Sequence, residues 1–112
     1  MKTEQPILIT SITAVGDLSD KKSLFIGFDG NVCANGAKAL GVLNANTNTG
    51  NQAPVMCVGI ALVRTGGAVN QSAKIQSDAS GKAITFAAGE YNGRAMDSAA
   101  GADELIRVLL SN

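Results

Sequence analysis

The stretch "PVMCVGIALVR", residues 54–64, constrains this chain more than any other. At strand period it splits into two alternating sets. One is Val55, Cys57, Gly59, Ala61 and Val63; the other is Met56, Val58, Ile60, Leu62 and Arg64. Both sets are apolar until Arg64. A strand wetted on one face alternates polar and apolar residues, so a strand apolar on both faces is covered on both. In a sandwich or barrel one face meets the core. The other face needs a subunit, a further layer or an arm. Val58, Ile60 and Leu62 are therefore candidates for a seam between protomers. The closing run "LIRVLL", residues 105–110, is a second apolar strand interrupted by Arg107, and it adds Ile106 and Val108 to that seam.

The rest of the chain reads as short strands punctuated by glycine. "ILITSITAV" follows Pro6, is rich in β-branched residues and reads as a first strand or an extended arm. Pro6, Ile7, Leu8, Ile9 and Ile12 are its candidate contact residues, because an extended arm can add to a neighbouring sheet edge. Residues 1–15 thus form an arm or first strand, and 16–112 a single β domain. "SLFIGFD" and "NVCA" are further strands, with Asp29-Gly30 and Asn35-Gly36 as turns. "AKALGVLNA" fits helix or strand, and Gly41 tips it toward strand. "NANTNTGNQA" is a polar loop. "AKIQSD" places Ala73, Ile75 and Ser77 on one side and turns Lys74, Gln76 and Asp78 to water. "AITFAA" is another strand, Asn92-Gly93 marks a turn, and "SAAGADE" offers one helical turn capped by Ser98. Many short strands at regular spacing give an all-β sandwich or barrel.

Charge and residue types narrow the function classes. Nine basic and nine acidic residues give a net charge of zero in 112 residues. Nucleic-acid and anionic-membrane binders carry a basic excess, so neither partner is expected. Zero net charge favours self-association. The N-terminus lacks the pattern of a secretory signal, and no run is long enough for a membrane-spanning helix, so a soluble protein made in a cytoplasm is expected. Cys33 and Cys57 form no Cys-x-x-Cys pair. They read as free thiols, and spacing alone leaves a disulfide open.

Three chemical motifs fail on inspection. "SGKA" ends like a phosphate-binding loop, but Ala83 stands where a hydroxyl is needed. Gln76 replaces the first glycine, and a strand follows instead of a helix. "NANTNTG" resembles a calcium loop but offers neutral amides in place of carboxylates. There is no histidine, and the carboxylates are scattered through turns, so no acid–base pair assembles. No catalytic residue, metal ligand or cofactor is expected.

Three ordered segments carry a family likeness: "CANGAKALGVLNANTNTGNQAPVMCVGIALVRTGGAV", "SAKIQSDASGKAI" and "GRAMDSAAGADELIRVLL". Together they resemble the capsid cement, or head-decoration, proteins of tailed bacteriophages. The resemblance implies a non-enzymatic structural protein of the virion. It implies a compact β domain with an N-terminal arm touching the shell, docked outside an icosahedral head at local threefold positions, usually as a trimer. The major capsid protein and further copies of the chain are the implied partners. Another β-rich virion or tail-attachment component is the alternative, and a small-molecule-binding β-barrel a more distant one.

Overall fold

The computed structural model describes residues 3–110, and no helix occurs among them. Eight strands follow in chain order: β1 (Gln5–Thr13), β2 (Phe25–Ile26), β3 (Gly41–Leu43), β4 (Gln52–Gly66), β5 (Lys74–Ser77), β6 (Ala83–Thr85), β7 (Gly93–Ala95) and β8 (Ala102–Leu110). The order β4-β6-β5-β7-β8 returns to β4, so five strands close into a barrel. Closure removes the sheet edges that an open five-stranded sheet would expose. β4 is long enough to belong to two structures. Its C-terminal half, Ile60 to Gly66, pairs with β8 in the barrel. Its N-terminal half runs out of the barrel between β1 and β3.

Two apolar clusters follow from this division. Phe25, Met56, Val63, Ile75, Ile106 and Val108 are among the residues that fill the barrel side. Ala14, Leu18, Ile26, Leu43, Ala53 and Val55 fill a second cluster under the β1–β4–β3 sheet. Met56 joins Ala61 and Val63 in one cluster while Val55 joins the other, so the simple alternation read from the sequence slips inside β4. The pairing shows where. Leu8 opposes Val58 but Ile9 opposes Met56, which leaves Cys57 as an extra residue; Ile7 is likewise extra between Pro6 and Leu8. Such bulges flip which side chains face the core. Gly59 lies beside them at φ +124°, and a Cβ there would run into Gln5 O and crowd Ile7 N at 2.9 Å. Only glycine allows β1 to cross β4 that closely.

Several local expectations need correction. Gln76 is buried, not turned to water. Its Oε1 accepts from the amides of Ala87 (2.7 Å) and Ala88 (3.1 Å), and its Nε2 donates to Asn35 Oδ1. It supplies hydrogen bonds to a segment past the end of β6, where the sheet ladder has stopped. Asn92 is no turn residue. It is buried, accepts from Ala39 N at 2.9 Å and donates to Ala37 O, while Gly93 opens β7. "SAAGADE" forms no helical turn. Ala99 bridges Val69, and the Glu104 carboxylate accepts from the amides of Ala100 and Gly101. Thr65 Oγ1 accepts from Glu104 N and donates to Gly101 O, which fixes the entry to β8. "SLFIGFD" and "NVCA" shrink to β2 and a single bridge between Ile26 and Val32.

The Ser80-Gly81-Lys82 stretch is the turn between β5 and β6. Asp78 Oδ1 accepts from the amides of Ser80 and Lys82, Gly81 sits at φ +78°, and Lys82 pairs with Asp103 at 2.8 Å. The Ser80 and Lys82 amides are spent on the turn, and the Lys82 ammonium on Asp103 of β8.

Acid behaviour follows from such turns. Asp17 accepts from Ser19, Asp29 from Asn31, and Asp103 from Lys82; each carboxyl is held below its ordinary value of 3.8. A depressed folded-state pKa contributes stability that is present above the unfolded value and lost as pH falls through the folded one. The chain has no histidine. Thermal unfolding midpoints are expected to stay flat between about pH 5 and 8 and to fall below about pH 4. A midpoint that drops between pH 5 and 7 would contradict this.

Candidate interaction surface

Ile60 is paired on both sides, with Gln5 of β1 and with Leu109 of β8. β1 and β8 therefore lie on opposite edges of β4, and residues directly opposed across them share a face. On the face turned away from the barrel, Leu8 opposes Val58, Leu109 opposes Ile60, Arg107 opposes Leu62, and Leu105 opposes Arg64. The result is a largely apolar stripe across three strands that also carries Arg64 and Arg107. Leu8 is 51% exposed, Leu109 52% and Leu105 41%. Ile7 and Ile9 are exposed beside them on β1, Ile7 as an unpaired bulge residue and Ile9 opposite Met56. Large apolar side chains gathered in one patch mark an interaction surface more often than the same residues scattered singly.

Arg107 lies within this face, between Leu105 and Leu109 on β8. Arg107 donates through Nε and Nη2 to both oxygens of Asp97, at 3.0 and 2.9 Å. The Asp97 carboxylate also accepts from the Arg107 amide. This two-pronged pairing pushes the guanidinium pKa up and keeps its charge satisfied beside Leu62.

The sequence-derived seam divides here. Val58, Ile60 and Leu62 are half-buried on the outward face of β4. Ile106 and Val108 are 0% exposed inside the barrel, opposite Val63 and Ala61. They belong to the chain's own core and to no surface. The outward residues of β8 are Leu105, Arg107 and Leu109, which the sequence reading missed. The signal was present: a charged Arg107 faces outward, and parity puts Leu105 and Leu109 beside it. Pro6, Ile7, Leu8 and Ile9 of the expected arm are exposed on β1, which pairs with β4 of the same chain; Ile12 is half-buried against the second cluster.

Among the described residues, no three of His, Cys, Asp or Glu gather in a way that could hold a metal ion. A cleft lined by Tyr91, Arg94, Leu109 and Leu110 borders the stripe. A hollow beside Phe28 contains Asp29, already engaged with Asn31, and Lys38, which donates to Tyr91 O. Both cysteines are free thiols, and burial pushes their pKa up, so neither is an activated nucleophile.

Residues 3–110 match the family described as phage cement protein. The chain belongs to that family. It is a structural protein associated with the phage capsid, and its place is in the virion. Among solved structures it is similar to the N-terminal base of the head fiber gp8.5 of bacteriophage phi29. The TM-score is 0.75 at 14% identity, covering 93% of this chain and 95% of that one. At that identity the likeness shows a shared fold, an all-β barrel with outer strands. No curated protein matches the sequence.

Proposed function

We propose that the chain is a non-enzymatic cement protein that docks on the outside of the phage head as a homotrimer and stabilises the shell through its major capsid protein. The match over residues 3–110 carries this reading. The stripe on β1, β4 and β8 supports it, because an apolar face of this extent gains by being covered. In this reading Val58, Ile60 and Leu62, extended by Leu105 and Leu109, form the protomer seam. Leu8, at the far end of the same stripe, and Pro6, Ile7 and Ile9 beside it on β1 reach the shell. A trimer touching three sites holds on by avidity, which does not require any single contact to be strong. Zero net charge fits both self-association and a contact insensitive to salt.

Heating heads with and without the protein tests the stabilising role. Heads carrying it are expected to retain their DNA to a higher temperature than heads lacking it. Equal release temperatures at saturating protein would overturn the cement reading.

A further inference from the structure

β1 is held very unevenly along its length. None of its nine residues is buried, and Ile7 is 80% exposed. Its C-terminal end is anchored: Ile12 packs on the second cluster, Gln52 Nε2 donates to Thr13 Oγ1 at 2.8 Å, and Ala14 N donates to Asn51 O at 2.9 Å. Its N-terminal part has only the ladder to β4, and both register breaks fall there, at Pro6/Leu8 and Leu8/Ile9. Its far edge pairs with no strand among the described residues. Edge strands are normally guarded by charge, yet residues 5–13 contain none. Segments with few buried contacts and broken ladders open first.

We propose that residues 5–10 form a hinged strap that peels from β4, and that the edge so vacated, residues 55–60, is a pairing site for an extended, uncharged, apolar segment. The chemistry of the occupant is set by what it replaces. It must offer backbone hydrogen bonds, small or β-branched apolar side chains and no charge next to Val55, Val58 and Ile60. Gly59 fits this role, since its bare backbone accepts a close-crossing strand. The shell segment that such an edge would take rests on the cement reading; the opening itself does not.

Cys57 is a built-in reporter. It is the extra residue in β4, half-buried beneath β1, and the Thr10 amide faces its sulfur. Cys33 is buried in the barrel cluster at the wall of the hollow beside Phe28, away from β1, and does not report on the strap. Free protein is treated with a thiol reagent, and modification is assigned by peptide mass. Cys57 is expected to react at least about tenfold faster than Cys33. Thr10→Pro removes that amide donor. It should speed Cys57 by a further factor of about ten and leave Cys33 unchanged. A synthetic peptide of residues 5–13, added to Thr10→Pro, should restore protection of Cys57. Hydrogen exchange on the parent supplies a check that needs no variant: amides of 5–10 should exchange faster than those of Ile60–Gly66.

A common rate for both thiols, or equal exchange in both segments, would overturn the strap. Peptide that gives no protection would overturn the pairing site. Because no heads are present, these failures leave the cement reading untouched, and failure to bind heads would leave the strap untouched.

Discussion

Val108→Asp is expected to destabilise the fold severely. Val108 is fully buried, opposite Ala61 of β4 and Ala95 of β7, and packs in the barrel cluster with Val63 and Ile106. No cationic residue belongs to that cluster. A carboxylate there must be buried without a partner or taken up as the neutral acid, and either costs stability. An uncompensated buried charge costs about 3–5 kcal/mol, and the lost methyl packing adds to it. A domain of this size has roughly 5–15 kcal/mol in total. Circular dichroism and a thermal melt should show no cooperative transition, or one lowered by 15 °C or more, at about 4–8 °C per kcal/mol. A parent-like melt would mean that β8 does not line a packed barrel.

Leu109→Asp is expected to do the opposite: fold normally and fail to assemble. The residue is one position away, but it points outward. It opposes Ile60 on one side and the exposed Arg94 on the other. A carboxylate there is wet and has a cation near, so the fold should change by no more than about 0.5–1 kcal/mol. In the trimer, that charge would be buried at the centre of the seam. Losing the trimer removes avidity, and apparent affinity for heads should fall by about 100-fold or more. Sedimentation shows the oligomer, and a binding titration shows the affinity. A variant that is trimeric and binds like the parent would place the seam elsewhere. Ile60→Asp is the companion on β4 and should behave alike, with a somewhat larger cost in folding because Ile60 is half-buried.

The contrast between these neighbours shows what was legible in the sequence. β1, β4 and β8 were plain, because long apolar or β-branched runs leave few alternatives. The apolar second face of β4 is half-buried at Val58, Ile60 and Leu62 and forms part of the outward stripe. Which residues of β8 face that way was not read, although Arg107 sets the parity. Gly59 hid the next feature. An isolated glycine within a strand signals a bulge or a close backbone approach, and here it attends both, so Met56 and Val55 point into different clusters. Gln76 and Asn92 were misread for different reasons. Strand alternation turned Gln76 to water, and the Asn92-Gly93 pair read as a turn. Their buried amides instead satisfy backbone groups of residues 87–88 and 37–39, distant in sequence. Such long-range hydrogen bonds leave no local pattern. The family, by contrast, was carried by three spaced segments taken in order, and the match spans nearly the whole chain.

The most direct measurement is a titration of the purified chain onto expanded heads that lack it, read by co-sedimentation. Saturable binding at one trimer per local threefold site, with Leu109→Asp folded but about 100-fold weaker, is the predicted result. A folded parent protein that fails to bind at saturating concentration, or that binds without a stoichiometric plateau, would contradict it.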